Sequence, residues 1–168
     1  MKDTQEILIC PACGKEMDKV EMHNEGLFLD VCLKGCGGIY FDNRELAKFD
    51  ENAENVVDLS AAYEGKTFQE VDRTMDRVCP KCGRNFIKNF VSARKEIEID
   101  DCYSCGGKFL DFGELEKMRA QYENTQERVN DVVSYVYTSH GQEIMSAGSI
   151  SRQKSGLHKL FTSLTGFR

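Results

Sequence analysis

Apolar and polar side chains alternate in several short stretches of the chain, with the period of two that is typical of a β-strand. Residues 26–32, which follow a turn signal, show this alternation in the first half, and residues 85–91 and 95–100 show it in the second half. Short segments at 39–41 and 108–110 predict one further strand in each half. The pattern therefore predicts two small antiparallel hairpins, each with a third short strand.

A helical period follows each predicted hairpin. Apolar residues recur with helical spacing at Leu46, Phe49, Ala53, Val56 and Tyr63, and then at Leu115, Met118, Tyr122, Val129, Val132 and Val136. Before each stripe stands an aspartate with a glutamate three residues later, Asp42 with Glu45 and Asp111 with Glu114, which is the pattern of a helix N-terminus. We therefore expect an amphipathic helix after each hairpin, packed on its own hairpin or on the other one. The longer helix, 115–136, would alternatively form a helical hairpin or a homodimer.

The two halves of the chain repeat one another. "CGGIYFDNREL" at 36–46 returns as "CGGKFLDFGEL" at 105–115, and "CPACG" returns as "CPKCG", which places the 2 prolines of the chain at the same point in both copies. The chain therefore contains two copies of one unit. The expected organisation is a first unit with its helix at 1–63, a linker at 64–78, a second unit with its long helix at 79–145, and a tail at 146–168.

The cysteines supply what each small unit lacks, because a core of this size seldom suffices for folding. All 8 cysteines lie inside the repeats. The N-terminus shows no signal-peptide pattern and no apolar run has the length of a membrane span, so we expect a cytoplasmic protein with reduced thiols. The C-x2-C and C-x3-C spacings let two thiolates bind one tetrahedral ion. Two zinc sites are therefore predicted, at Cys10, Cys13, Cys32 and Cys36 and at Cys79, Cys82, Cys102 and Cys105.

Four sulfur ligands close a zinc site to water and substrate, so we expect both Zn²⁺ ions to be structural. Zinc binding would then supply a large part of the folding free energy of each unit. The predicted fold class is a small, metal-stabilised α+β protein with tandem zinc ribbons, short antiparallel β-hairpins that are each followed by an amphipathic helix. Iron in the same four-sulfur cage, as in an electron carrier of the rubredoxin type, is the chemical alternative.

No pattern of catalytic residues accompanies the cysteines. The histidines, His23, His140 and His158, lie in a predicted hairpin turn, near a helix end and in the tail, and the sequence has no glycine-rich phosphate loop. We therefore expect a protein that is not an enzyme. A redox switch, in which oxidation of the thiolates releases zinc, is one further alternative.

The order of these motifs resembles a known family. "CPxCG", a variable hairpin, and "CxxCGG" followed by two apolar residues, Asp and "xxEL", is similar to the transcription factor IIB-type zinc ribbon family. The resemblance covers residues 10–46 and 79–115. It implies zinc on the cysteines named above, and the family name suggests transcription. The first copy departs from the pattern by one extra residue in "CLKGC" at 32–36.

The charge distribution argues against nucleic acid as the main partner. The formal net charge is −6 at pH 7, whereas a protein that binds nucleic acid usually presents a basic face to the phosphates. The second unit is the exception, because it mixes basic side chains with aromatic rings that could stack on bases. The candidate nucleic-acid-binding residues are Lys81, Arg84, Lys88, Arg94 and Lys95.

The C-terminal segment reverses the acidic trend. Residues 146–168 contain basic residues and no acidic one, and Leu157, Leu160, Phe161 and Leu164 fall on one helical face. Such a segment could dock on a protein partner, on a membrane surface or on the acidic body of the chain itself. We therefore expect a non-enzymatic zinc protein that serves as an adaptor or regulator through protein–protein contacts. Nucleic-acid binding is the alternative, and the transcription machinery is the first partner to test.

Overall fold

The computed structural model describes residues 6–51 and 53–136. In chain order its elements are β1 (Asp18–Met22), β2 (Leu27–Val31), β3 (Ile39–Phe41), a 3₁₀ turn (Leu46–Lys48), α1 (Val57–Tyr63), β4 (Ile87–Phe90), β5 (Glu98–Asp101), β6 (Lys108–Leu110) and α2 (Glu114–Ala120). Residues 125–136 are also helical. The chain divides into a compact unit that ends at Glu127 and contains both ribbons, and a second unit that begins at Arg128. No helix in the described part of the chain is long and apolar enough to cross a membrane.

Both predicted hairpins are confirmed. β1 pairs antiparallel with β2, with Asp18 opposite Val31, and Gly26 takes a φ of 62° in the turn between them. Glycine suits this position because the left-handed region carries no penalty for a residue without Cβ. β4 pairs with β5 in the same way, with Ile87 opposite Asp101. The short strand β3 pairs with β2, and β6 pairs with β5. Each ribbon therefore has three strands, β1–β3 in ribbon 1 and β4–β6 in ribbon 2.

The two ribbons are joined edge to edge in one six-stranded sheet, in the order β1-β2-β3-β6-β5-β4. The joint is the antiparallel pair of β3 and β6, in which Ile39 lies opposite Leu110 and Tyr40 lies opposite Phe109. Tyr40 and Phe109 hold the same position in the two repeats. A local two-fold axis therefore passes between these two residues. Local alternation of apolar and polar side chains could not predict this joint.

The main hydrophobic core covers one face of this sheet. Ile39, Phe41 and Leu110 point to this face from the central strands and are almost fully buried. The 3₁₀ turn, the segment after it and the two helices cover the face with Leu46, Phe49, Leu59, Leu115 and Met118. Each apolar side chain of this size contributes about 1.5–3 kcal/mol when it is fully buried. The core therefore links both ribbons rather than forming separately in each.

The chain after ribbon 1 differs from the expected helix. Among the described residues between β3 and α1, one 3₁₀ turn forms at Leu46–Lys48. The Glu45 carboxylate accepts the predicted hydrogen bond from the Asp42 amide at 2.8 Å, but the Asp42 side chain forms an ion pair with Lys81 instead of capping the turn. Half of the cap is therefore missing. The same holds in ribbon 2, where Glu114 accepts from the Asp111 amide at 2.8 Å and the Asp111 side chain pairs with Arg77, yet α2 forms, so the missing half does not by itself prevent a helix. Beyond the turn, Phe49 is fully buried in the core, and the chain follows that contact instead of continuing as a helix.

The chain after ribbon 2 begins with α2, but the continuous helix expected at 115–136 is wrong, because α2 ends at Ala120. Asn124 starts a new helical segment. Its Oδ1 accepts a hydrogen bond from the Glu127 amide at 2.9 Å, and Glu127 Oε2 accepts one from the Glu123 amide at 2.8 Å. These are the two halves of a helix cap, which competes locally with a continuous helix. A homodimer through this region stays a prediction.

Candidate metal centres

The first group of sulfurs, called centre 1, contains Cys10, Cys13, Cys32 and Cys36. A tight turn before β1 supplies Cys10 and Cys13, in which the Gly14 amide donates to the Cys10 carbonyl at 2.9 Å and Gly14 has a φ of 73°. The connection between β2 and β3 supplies the other two cysteines. The Sγ atoms of Cys10 and Cys36 lie 3.4 Å apart, as do those of Cys13 and Cys32.

The second group, called centre 2, contains Cys79, Cys82, Cys102 and Cys105 and repeats this construction. The Gly83 amide donates to the Cys79 carbonyl at 2.9 Å, and Gly83 has a φ of 71°. The Sγ atoms of Cys79 and Cys105 are 3.6 Å apart, and those of Cys82 and Cys102 are 3.4 Å apart. The duplication seen in the sequence is therefore also a duplication of site geometry.

The two groups fit zinc in geometry and in donor chemistry. In each group the four sulfurs all lie within 4.8 Å of one another. A tetrahedral ion with Zn–S bonds of about 2.3 Å separates its sulfurs by about 3.8 Å, close to the spacing observed. Each group could therefore hold one zinc ion through its four cysteines. Zinc would cross-link the two ends of a ribbon there and leave no ligand position for a substrate.

The extra residue of "CLKGC" does not disturb centre 1. In ribbon 1 the Cys32 carbonyl accepts from the Gly37 amide at 3.0 Å and from the Gly35 amide at 3.3 Å. In ribbon 2, which lacks the insertion, the Cys102 carbonyl accepts from the Gly106 amide alone in that turn, at 2.7 Å. The insertion therefore widens one turn and keeps both sulfurs in place.

The close sulfurs shift one another's pKa values. Hydrogen bonds from the Cys10 and Cys36 thiols lower the pKa of Cys32, while the hydrogen bond with Cys32 and burial raise the pKa of Cys10. In centre 2 the Arg84 amide is the main cause that lowers the pKa of Cys82, to about 7. Four adjacent thiols cannot all lose their protons without a compensating cation, so binding of zinc should release protons.

Each ribbon places an aromatic ring against the other ribbon's centre. Tyr40 of ribbon 1 lies with its Oη 3.6 Å from Cys79 Sγ and 3.7 Å from Cys105 Sγ of centre 2. The ring passes over Gly107, where a Cβ would collide with the Tyr40 hydroxyl. By the local two-fold symmetry, Phe109 passes over Gly38 beside centre 1, where a Cβ would collide with its ring. Neither role was predicted from the sequence, although a pair of glycines precedes the ring by two residues in each copy.

When Cys79 and Cys105 are thiolates they carry no proton, so the Tyr40 hydroxyl is the donor in these contacts. Burial, followed by the nearby Cys79 and Cys105 sulfurs, raises the pKa of Tyr40 above its ordinary value, so the hydroxyl keeps its proton at neutral pH. Tyr40 and Phe109 belong to one buried cluster with cysteines of both centres. The two centres therefore share a packed environment on the face of the sheet opposite the main core.

The two centres differ in what covers the turn between their last two cysteines, which we call the second knuckle (residues 32–38 in ribbon 1 and 102–107 in ribbon 2). In ribbon 1 the linker covers it. The Gln69 amide donates to the Gly35 carbonyl at 3.0 Å, and the Tyr63 hydroxyl donates to the Gly37 carbonyl at 2.7 Å. The rings of Phe68 and Phe112 close over Gly37, with centroids 4.7 Å apart.

The second knuckle of ribbon 2 is more open. Tyr103 is 65% exposed, Ser104 is exposed, and Cys105 and Gly106 are half-buried. Asn43 lies against Gly106 in the place that corresponds to Phe112 in ribbon 1. The turn that contains the first two cysteines of a ribbon is called the first knuckle (residues 10–14 in ribbon 1 and 79–83 in ribbon 2). Cys82, in the first knuckle of ribbon 2, is also exposed. Centre 2 is therefore the more accessible of the two.

A buried ion-pair cluster supports ribbon 2. One guanidinium nitrogen of Arg77 lies 2.8 Å from an Asp100 oxygen and 3.0 Å from an Asp111 oxygen, and all three side chains are almost fully buried. Next to them, burial raises the pKa of Glu114 to about 7. In ribbon 1 the position that corresponds to Arg77 is occupied by Leu8. This cluster was not predicted from the sequence, because its members are far apart in the chain.

The candidate nucleic-acid-binding residues have different surroundings, and three of them form ion pairs within the chain. Lys81 forms an ion pair with Asp42, Lys88 pairs with Asp100 at 2.7 Å, and Arg94 pairs with Glu127 at 2.7 Å. Arg84 is exposed directly after the first knuckle of ribbon 2, and Lys95 lies in the β4–β5 turn with a φ of 54°.

The remaining candidate residues are the histidines and the predicted docking residues of the tail. His23 lies at the β1–β2 turn and contacts Asp58 at 3.3 Å, so it is a surface residue. His140, His158 and the candidate docking residues Leu157, Leu160, Phe161 and Leu164 lie outside the described residues.

Comparison with known proteins agrees with the geometry. The family model described as "Transcription factor zinc-finger", the TFIIB-type zinc ribbon, matches residues 9–50 and 78–120, which together make up just over half of the chain. The chain has no match among curated proteins or among solved structures. Each matched segment contains one complete four-cysteine centre. The chain therefore belongs to the TFIIB-type zinc ribbon family, and it carries two ribbons of that family in one sheet.

Proposed function

We propose that this protein is a non-enzymatic adaptor of the cytoplasm that binds a protein partner through the second knuckle of ribbon 2. The observation that carries the proposal is the difference between two equivalent surfaces. In ribbon 1 the chain covers its own second knuckle. In ribbon 2 the same surface is open among the described residues.

The covered knuckle indicates the kind of segment that would fit the open one. The linker approaches ribbon 1 without regular secondary structure, donates a backbone hydrogen bond to the Gly35 carbonyl and places the Phe68 ring on Gly37. The equivalent positions in ribbon 2 are Ser104 and Gly106. A partner segment with a free backbone amide next to an aromatic side chain would make the same contacts there.

The chemistry of the centres supports an adaptor rather than a catalyst. Each zinc would be saturated by four sulfurs, so it could neither activate water nor polarise a substrate. The net charge of −6 and the intramolecular ion pairs of Lys81, Lys88 and Arg94 weaken the case for nucleic acid as the ligand. Membership of the family makes a component of the transcription machinery the first partner to test.

Site-specific photo-crosslinking in native cells tests the proposal. A photoreactive amino acid replaces Ser104 in one variant and Phe28, an exposed residue of ribbon 1, in the matched control. We expect protein adducts from position 104 that survive nuclease treatment and that are weak or absent from position 28. Both variants must bind two zinc ions per chain, which metal analysis checks.

Two results would contradict this function. Equal protein adducts from both positions would show that the knuckle has no special role. Adducts that consist of nucleic acid would support the alternative, and binding should then weaken steeply with salt, with a slope of about −0.9 per neutralised phosphate on duplex DNA.

A further inference from the structure

We infer that the two metal centres are coupled, with Tyr40 of ribbon 1 as a positioning residue that donates a hydrogen bond to the thiolates of centre 2. This inference concerns metal binding and does not depend on the proposed partner. It follows from the crossing of side chains at the joint between β3 and β6. The surroundings of centre 2 include a side chain, Tyr40, that ribbon 2 does not supply.

The geometry makes Tyr40 specific for centre 2. Its hydroxyl lies between the sulfurs of Cys79 and Cys105, which are contributed by different knuckles of ribbon 2. Only 1% of the residue is exposed, so water does not compete for the hydroxyl. The absence of a side chain at Gly107 leaves room for the ring to reach the sulfurs.

A hydroxyl in this position should strengthen zinc binding. A zinc ion with four thiolates carries a net charge of −2, and hydrogen bonds to the sulfurs offset that charge. Centre 1 receives Phe109 at the symmetry-related position, and this ring has no hydroxyl to donate. The duplication therefore left one centre with a tyrosine donor from its neighbour and the other with packing alone.

The coupling has a structural route. Tyr40 is held in place by β3, which pairs with β2 of ribbon 1 on one side and with β6 on the other. Loss of metal from centre 1 would loosen β3 and withdraw the donor from centre 2. Because coupling between two binding sites is reciprocal, zinc at centre 2 must stabilise zinc at centre 1 by the same factor.

The test compares Tyr40→Phe with the wild-type chain. We expect the affinity of centre 2 for metal to fall about 10–100-fold, the usual effect of removing a hydrogen bond to a metal ligand, while the intrinsic affinity of centre 1 changes little. Competition with a chelator measures the affinities. Cadmium NMR of the substituted protein, with one resonance for each centre, assigns the loss to a centre.

Two further variants control the experiment. Tyr63→Phe removes a hydroxyl that bonds to the Gly37 carbonyl and to no sulfur, so it should leave centre 2 unchanged. Phe109→Tyr adds a hydroxyl at the symmetry-related position and should raise the affinity of centre 1. Phenylalanine is the natural residue at position 109, which corresponds to position 40 in the other repeat, so we expect the Tyr40→Phe variant to fold.

The inference fails if Tyr40→Phe leaves the metal affinity of centre 2 at the wild-type value. It also fails if Tyr40→Phe lowers the affinity of centre 1 measured with centre 2 empty, because coupling through Tyr40 acts only when both centres are loaded and such a loss would indicate general loss of packing. If Tyr40→Phe does not fold, Phe109→Tyr decides: an unchanged affinity of centre 1 would overturn the role assigned to this position.

Discussion

Ribbon 1 and ribbon 2 share their ligands and strands but differ in what surrounds them. Both keep a cross-strand ion pair at the same position, Lys19 with Asp30 at 3.0 Å and Lys88 with Asp100 at 2.7 Å. Ribbon 1 is apolar around its strands and is covered by α1 and the linker. Ribbon 2 depends on a buried charge cluster and has an open knuckle.

This difference shows how a duplicated zinc module can divide its tasks. The metal ligands and the turn glycines must stay, because the geometry of a four-sulfur site allows little change. The residues around them differ between the two copies. Val31 and Ile39 of ribbon 1 correspond to Asp101 and Lys108 of ribbon 2, which form an ion pair at 2.6 Å. Ribbon 1 thus anchors the fold, and ribbon 2 retains accessible surface.

The largest predicted effect comes from removing one ligand from each centre. Cys32→Ser should unfold both ribbons, because Cys32 is fully buried and its ribbon carries most of the main core. Zinc binding is worth about 10–16 kcal/mol in such units, as much as the whole stability of a typical domain. Cys82→Ser, at an exposed ligand, should unfold ribbon 2 and leave β1–β3 with α1 protected.

Hydrogen exchange of the zinc-loaded variants, read segment by segment, distinguishes these outcomes. Equal loss of protection in both ribbons after Cys82→Ser would contradict the assignment of ribbon 1 as the anchor.

The buried cluster of ribbon 2 should give the next largest effect. Arg77→Met leaves the Asp100 and Asp111 carboxylates buried without the guanidinium, which should lower the free energy of unfolding by about 3–5 kcal/mol. Arg73→Met is the control, because Arg73 is half-exposed and lies 3.8 Å from Asp111 and 3.5 Å from Glu114; its effect should be about 1 kcal/mol or less. Urea unfolding in excess zinc measures both.

A compensating variant tests the cause of the Arg77 effect. Asp111→Asn, added to Arg77→Met, removes a buried charge that would otherwise keep only the half-exposed Arg73 at 3.8 Å, and it should recover part of the stability. Asp100 is left unchanged, because it also pairs with Lys88. No recovery would mean that lost packing of Arg77 on the Phe109 ring, 5.4 Å from its centroid, is the main cost.

Glu114 should make the stability of the protein depend on pH. Its pKa is raised to about 7, chiefly by burial, so between its ordinary value near 4.3 and about 7 the folded protein binds more protons than the unfolded chain. Stability from this group is therefore present below that window and is lost as pH rises through it. Glu114→Gln should remove the loss and stabilise the protein by about 2 kcal/mol above pH 7.

The comparison between wild type and Glu114→Gln at about pH 5 and about pH 8, in excess zinc, checks this prediction, because the pH dependence of zinc binding is common to both proteins. A constant difference in the free energy of unfolding across this range would contradict it.

The sequence predicted the parts of this molecule that local spacing determines. The C-x2-C and C-x3-C spacings and the alternating strands of each ribbon are short-range patterns, and all of them are found. The joint between β3 and β6, the crossing of Tyr40 and Phe109, and the Arg77 cluster depend on contacts between distant segments. Alternation within one strand does not specify which strand becomes its neighbour.

Helices were predicted less well than strands, for a related reason. The apolar stripe from Leu115 to Val136 has helical spacing, but Asn124 and Glu127 form a cap inside it. The stripe marks which residues are apolar. It does not reveal where a local hydrogen bond interrupts the backbone.

The smallest predicted effect is on the rate at which each centre releases zinc. Centre 2 should lose its metal to a chelator several-fold faster than centre 1, because Cys82 is exposed and the second knuckle of ribbon 2 has no aromatic cover like that of Phe68 and Phe112. Phe68→Ala should open centre 1 and narrow the difference, at a modest cost in stability because Phe68 is only partly buried. Phe90→Ala, which removes an exposed ring from edge strand β4, is the control and should change neither rate. Stopped-flow release from protein with cadmium in one centre and zinc in the other assigns each rate. If Phe68→Ala leaves the ratio of the two rates unchanged, cover of the knuckle does not protect the metal, and the difference in accessibility would have to arise at the first knuckle, where Cys82 lies.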